Sequence, residues 1–145
     1  MKLETILLIE DDLLFAKVFE RKLSVIGDFE IHHCTSVEDG LVFIETTKPE
    51  LIFMDHELGG VNGVDAIHLF KGALSNAEIC IVSGQRDPAV LGKALDNDVK
   101  YFRKDALLLK NTEEFISEVK NKPSQLNSFW GKFLDHYKNS IPEHS

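Results

Sequence analysis

The stretch Ile6-Leu7-Leu8-Ile9-Glu10-Asp11-Asp12 runs four apolar residues without a break into three consecutive carboxylates. An apolar run this short, with no polar residue alternating through it, suits a strand buried on both faces of a parallel sheet. Two further runs repeat the pattern. Leu51-Ile52-Phe53-Met54 leads into Asp55, and Ile79-Cys80-Ile81-Val82 leads into Ser83. Two more segments are mixed: Phe29 to Cys34, which alternates through its first four residues, and Val99 to Phe102, which is followed by Lys104. Mixed runs suit sheet edges, so the first, third and fourth strands are expected at the centre and the second and fifth at the margins. That assignment is the one a doubly wound order 2-1-3-4-5 requires.

The segments between these runs carry helical spacing. Phe15, Val18, Phe19, Leu23 and Ile26 form one apolar stripe, and Gly27 follows as a stop. Ser36 is placed to cap a helix through Val37, Leu41 and Ile44, and a weaker stripe runs through Val64, Ile67, Lys71 and Leu74. Asp87-Pro88 reads as a cap with proline at the first helical position, opening a helix through Val90, Leu91, Ala94 and Leu95. Asn111 and Glu114 have capping-box spacing ahead of Phe115, Ile116 and Val119. Strand and helix alternating five times predict an α/β fold with helices on both faces of a five-stranded parallel sheet.

Length and composition agree with this. The 145 residues fit one compact domain, and 43% hydrophobic with 28% charged residues is ordinary globular usage. A net charge of −8 argues against a nucleic-acid-binding role, which needs a basic face. No stretch approaches the ~20 apolar residues of a membrane span, and the N-terminal apolar run is too short for a signal peptide, so a cytoplasmic location is expected. Cys34 and Cys80 lack zinc-ligand spacing and read as reduced, buried thiols. His32, His33, His56 and His68 are scattered and read as ordinary histidines.

Ligands of an open parallel sheet bind beyond the carboxyl ends of its strands. The residues expected there are Glu10 and Asp11 after the first strand, Asp55 after the third, Ser83 after the fourth and Lys104 after the fifth; Asp12 reads as the N-cap of the first helix. Each residue type alone is commonplace at a strand end, but together they form a coherent set. Converging carboxylates repel, and a divalent cation removes the conflict; oxygen-only ligation favours Mg²⁺ over zinc. A cation, a lysine and a hydroxyl around a carboxylate form a constellation for phosphoryl transfer.

On these residues, together with Val61-Asn62-Gly63, Ile81-Val82-Ser83-Gly84 and Tyr101-Phe102-Arg103-Lys104, residues 5–120 resemble a response-regulator receiver domain, of flavodoxin-like fold, over about four fifths of the chain. The resemblance implies that Asp55 is the phosphoacceptor. It implies Mg²⁺ held directly by Asp11, Asp55 and the backbone carbonyl of Glu57, with Glu10 acting through water. Ser83 would hydrogen-bond the phosphoryl group, Lys104 would pair with it, and Tyr101 would be the aromatic switch residue coupled to Ser83. The implied partners are a histidine kinase or histidine phosphotransfer protein upstream and a protein target downstream; apart from assisting its own phosphorylation and dephosphorylation, the chain would not be an enzyme. Two positions depart from the pattern. Gly59-Gly60 stands where the family usually has Pro-Gly, and Asp105 follows the lysine where a proline with a cis bond is usual, so a trans bond is expected and Asp105 could compete for Lys104. Glu57 and Gln85 flank the approach to Asp55 and would tune phosphoryl lifetime.

The first 120 residues hold 13 of the 16 basic and 22 of the 24 acidic side chains. A break at Asn121-Lys122-Pro123-Ser124 separates this receiver segment, 1–120, from a tail, 121–145. In the tail, Leu126, Phe129, Trp130, Phe133, Leu134 and Tyr137 share one face of an expected amphipathic helix, suited to folding back on the receiver, to forming a homodimer, or to docking on another protein or leading into an output domain. Two rival functions remain. One is a Mg²⁺-dependent phosphohydrolase with Asp55 as nucleophile and Glu57 as general acid; the other is a pseudo-receiver that binds without being phosphorylated.

Overall fold

The computed structural model describes residues 5–58, 62–84 and 87–121. Gly59, Gly60, Val61, Gln85 and the tail stripe from Leu126 to Tyr137 lie outside the described residues. The elements follow in order: β1 Thr5–Ile9, α1 Leu13–Ile26, β2 Glu30–Cys34, α2 Val37–Phe43, β3 Leu51–Asp55, α3 Gly63–Ala73, β4 Glu78–Ser83, α4 Pro88–Asp96, β5 Lys100–Arg103 and α5 Leu108–Lys120. The five strands are all parallel, in the order β2-β1-β3-β4-β5.

Because successive side chains on a strand point to opposite faces, each apolar run supplies two cores. Leu7, Ile9, Ile52, Met54, Ile79 and Ile81 face one layer with Val64, Ile67 and Phe70 of α3. Ile6, Leu8, Leu51, Phe53, Cys80 and Val82 face the other with Phe19 and Leu23 of α1 and Phe115, Ile116 and Val119 of α5. β1 and β3 are buried throughout, whereas β2 and β5 are half-exposed, as their mixed composition predicts.

Three helix starts carry the expected side-chain caps. Asp12 accepts from the Phe15 N–H, Ser36 from Asp39 N–H, and Asp87 from Ala89 N–H ahead of Pro88. The last helix differs from expectation. It begins at Leu108, so Asn111 lies inside it and donates its N–H to the Leu107 carbonyl. Asp105 organises the entry instead, its Oδ1 accepting from Leu107 N–H at 2.9 Å and its carbonyl from Leu108 N–H at 3.1 Å. The side-chain bond goes to the N–H of Leu107, the residue that precedes the first turn, so Asp105 shapes the chain's approach to α5 and no side chain caps the helix at Leu107.

Two stripes are narrower than their spacing implies. α1 buries Ala16, Phe19 and Leu23 but leaves Val18 exposed, and α4 buries Val90 and Ala94 but leaves Leu91 and Leu95 exposed. Among the described residues the main contacts of α4 are with the edge strand β5 and with α3, so those elements cover only part of its circumference. Cys80 is buried and Cys34 half-buried, both as free thiols.

Candidate functional site

The parallel register brings the carboxyl ends of β1, β3, β4 and β5 to one edge. Ile9 pairs with Met54, Asp55 with Val82, and Ser83 with Arg103. Backbone bonds extend this alignment past the strands. Glu10 N–H reaches the Cys34 carbonyl at 2.9 Å, His56 N–H the Val82 carbonyl at 3.1 Å, and Lys104 N–H the Ser83 carbonyl at 2.8 Å. Glu10, Asp55, Ser83 and Lys104 are thus fixed by sheet hydrogen bonding, at the place where this class of sheet binds its ligands.

Carboxylate oxygens of Glu10, Asp11 and Asp55 lie within 4.8 Å of one another. Glu10 is 1% exposed and Asp55 5%, while Asp11 stands open to solvent. Lys104 Nζ sits 2.6 Å from Glu10 Oε1 and 3.5 Å from Asp55 Oδ2. The other Glu10 oxygen accepts from Asp12 N–H at 3.1 Å, and Asp55 Oδ1 accepts from Glu57 N–H at 3.2 Å. Ser83 is buried at the end of β4. Tyr101 is half-buried on β5, packed against the α3-side core.

One ammonium does not balance three carboxylates. Burial pushes Glu10 up from 4.5 to about 7; the Lys104 hydrogen bond and the Asp12 N–H work against that rise, and Asp55 adds to it. For Lys104, burial disfavours the ammonium, but the hydrogen bond to Glu10 and the charges of Asp55 and Glu10 outweigh it and raise the value. The cluster is therefore short of positive charge. An all-oxygen donor set, buried on two sides and open at Asp11, fits a hydrated divalent cation of the Mg²⁺ type.

The structure brings Glu10, Asp11, Asp55 and Lys104 close together, and the register puts Ser83 at the same edge of the sheet. It also settles what Asp105 does. The Lys104–Asp105 bond is trans, as no cis bond occurs among the described residues, and the Asp105 carboxylate accepts from Leu107 N–H ahead of α5 while Lys104 pairs with Glu10 and Asp55.

Three residues at the site had no role assigned to them by the sequence, although Gly63 stands in the Val61-Asn62-Gly63 stretch. His33 Nε2 lies 2.7 Å from the Glu10 carbonyl, bracing the acidic turn from β2. Gly63 passes so close to the Asp55 backbone that a Cβ would stand 2.2 Å from its carbonyl oxygen, and its N–H bonds the His56 carbonyl at 3.0 Å. Only glycine permits that approach. Phe15, expected simply in the α1 stripe, places its ring 4.2 Å from Lys104 Nζ.

A doubly wound parallel sheet with an acidic group, a lysine and a serine at its carboxyl edge defines a class of small α/β proteins, the flavodoxin-like receivers. The family model for the response regulator receiver domain matches residues 6–112, and the chain belongs to that family. Such domains are generally signalling switches that interact with kinases and downstream effectors.

Solved structures share the fold. A DNA-binding response regulator of the LuxR family from Staphylococcus aureus is 25% identical at a TM-score of 0.73, covering 82% of this chain and all of that one. A response regulator from Burkholderia pseudomallei, with a phosphorylated aspartic acid, a calcium ion and citrate, is 22% identical at a TM-score of 0.69, covering 86% of this chain and 71% of that one. A protein described as an adenylate cyclase, from Rhodopirellula baltica, is 22% identical at a TM-score of 0.73, covering 92% of this chain and 98% of that one. None of the curated proteins compared with the chain matches it. No helix among the described residues is long and apolar enough to cross a membrane.

Proposed function

We propose that this receiver accepts a phosphoryl group on Asp55 from a phosphohistidine of a kinase or phosphotransfer protein. The observation that carries the proposal is the placing of Lys104 Nζ between the buried carboxylates of Glu10 and Asp55 at the sheet edge. In the transfer, a carboxylate oxygen of Asp55 forms the new P–O bond as the donor's N–P bond breaks, and the bonding pair stays on the imidazole nitrogen. Lys104 offsets the charge developing on the phosphoryl oxygens, and the Ser83 hydroxyl donates a hydrogen bond to them. Asp11, Asp55 and the Glu57 backbone carbonyl would hold Mg²⁺ directly and Glu10 through water; when bound, the cation supplies positive charge against the phosphoryl group.

The phosphorylated site carries an added dianion, and Ser83 with Tyr101 would relay it to the surface formed by α4, β5 and α5. A protein donor is favoured by Leu13 and Leu14, two exposed apolar side chains on the first turn of α1 next to Asp11. The chain would then act in the cytoplasm as a switch without catalysing turnover of a separate substrate. Residues 1–120 would be the switching unit, and the tail would contribute protein contacts, either on its own receiver or in a homodimer.

The test is incubation with Mg²⁺ and phosphoramidate or acetyl phosphate, followed by intact-mass measurement. One acid-labile phosphoryl group is expected on the wild type and none on Asp55→Asn. A label on Ser83, or none on the wild type, overturns the assignment. Steady turnover of a small phosphomonoester, lost on Glu57→Gln, would favour the phosphohydrolase instead.

A further inference from the structure

We propose that Phe15 is a positioning residue for Lys104: the ring face holds the ammonium at the phosphoacceptor site. The inference rests on the reading of Lys104 as the phosphoryl-pairing cation. A lysine ends a flexible four-carbon stem with large rotamer freedom, so its aim must be fixed by contacts. Here a trans bond to Asp105 follows it, and the Asp105 carboxylate is engaged at the entry to α5.

The contacts around Nζ are Glu10 Oε1 at 2.6 Å, Asp55 Oδ2 at 3.5 Å and the Phe15 ring centroid at 4.2 Å. Both carboxylates change their engagement during the reaction, Glu10 when a cation enters and Asp55 when it becomes an acyl phosphate. The ring face does not. Its quadrupole attracts an ammonium within about 6 Å whatever the state of the carboxylates, and more strongly in a desolvated setting. With its side chain only 18% exposed, Lys104 has that setting.

The ring is itself held. Phe15 stacks on Phe19 at 5.6 Å between centroids and 15° between planes, and Phe19 meets Phe53 edge-on at 5.1 Å and 87°. Phe53 is buried on β3, two residues before Asp55. A ladder of three aromatics therefore ties the lysine to the strand that carries the phosphoacceptor. Beside the ring, a cavity of about 190 Å³ between α1 and the start of α5 leaves room for a phenolic hydroxyl.

The experiment replaces Phe15 by Leu, which keeps an apolar side chain without the quadrupole, by Tyr, which keeps the ring, and by fluorinated phenylalanines, which weaken the quadrupole at nearly constant shape. The first readout is the rate of Asp55 phosphorylation by phosphoramidate with Mg²⁺. The second is the order of the Lys104 Cε group by ¹³C relaxation in the metal-free protein. Phe15→Leu should slow phosphorylation by about 5- to 30-fold and loosen Lys104, Phe15→Tyr should restore both, and stepwise fluorination should lower both in steps while unfolding midpoints stay put. A merely structural role would move the midpoints and leave the fluorine series flat. If Lys104 is equally ordered in wild type, Phe15→Leu and the fluorinated proteins, the proposal is wrong. If the wild type takes no phosphoryl group while the order of Lys104 still follows the fluorine series, the positioning stands and the phosphoacceptor reading fails.

Discussion

Replacing Glu10 by glutamine deletes a carboxyl that the fold keeps 1% exposed while leaving its shape in place. The consequence follows from where Glu10 titrates. Its folded-state value, driven up mainly by burial, is about 7 against an ordinary 4.5. Between those two values the unfolded chain has released a proton that the folded chain still holds, so stability falls as pH rises, and the loss is complete above about 7. At about 1.4 kcal/mol per pH unit the interval amounts to about 3 kcal/mol. Because Glu10 shares its charge balance with Lys104 and Asp55 and stands next to the solvent-open Asp11, that figure is a ceiling, and about 1–2 kcal/mol is expected. Urea unfolding in the presence of EDTA, for wild type and Glu10→Gln from about pH 5 to about pH 8, reports the loss of the Glu10 proton together with its coupling to Lys104 and Asp55, while titrations outside this cluster are common to both proteins. The two stability curves should separate by about 1–2 kcal/mol over that range, with the wild type losing ground at the alkaline end. Curves that stay parallel would refute the reasoning that burial, rather than the Lys104 pair, dominates the charge balance at Glu10.

Mg²⁺ at ten times its dissociation constant should stabilise the wild type by about 1.4 kcal/mol through mass action, an effect that Asp11→Ala abolishes; a melting temperature indifferent to Mg²⁺ would count against the cation site. Gly63→Ala drives a Cβ to 2.2 Å from the Asp55 carbonyl oxygen, and should cost about 1–3 kcal/mol in chemical denaturation and slow phosphorylation of Asp55. A wild-type-like result in both assays would show that the loop yields freely. Trp130 is the sole tryptophan, so a blue-shifted emission that persists on dilution is expected if the tail docks on its own receiver, a shift lost on dilution if it forms a dimer; a red-shifted, freely quenched emission at all concentrations would exclude both.

Much of the site was legible before the fold was known, because strand ends in a parallel sheet are predictable places. The uninterrupted runs at Ile6 to Ile9, Leu51 to Met54 and Ile79 to Val82 announce buried strands, and the residue that follows each one falls on the ligand-binding edge whatever the helices do. Glu10, Asp55 and Ser83 follow the buried runs, and Lys104 the mixed fifth strand, so the sequence alone puts all four at that edge as candidates. The caps at Asp12, Ser36 and Asp87 were legible for a similar reason: each is a bond between a side chain and an N–H two or three residues on.

What the chain could not disclose depends on residues distant in sequence. Asn111 has the local spacing of a cap, yet Asp105 opens α5, because the alignment of β5 with β4 decides where the chain leaves the sheet. Phe15 looks like any member of an apolar stripe until Lys104 arrives from the end of β5 to stand over it. Gly63 stands in the Val61-Asn62-Gly63 stretch, but why a glycine is needed there is invisible until α3 is seen to begin against the Asp55 carbonyl. The sequence by itself determined the alternation of elements, the central and edge strands, and the chemical types gathered at the strand ends, since these follow from period, run length and local bonding. The tertiary structure alone decided that Lys104 lies closer to Glu10 than to Asp55, that Glu10 is buried enough to hold a proton near neutrality, and that an aromatic ladder stands behind the lysine. Each of those depends on distances and desolvation set by elements packed together from across the chain, and such quantities have no value until the sheet has closed.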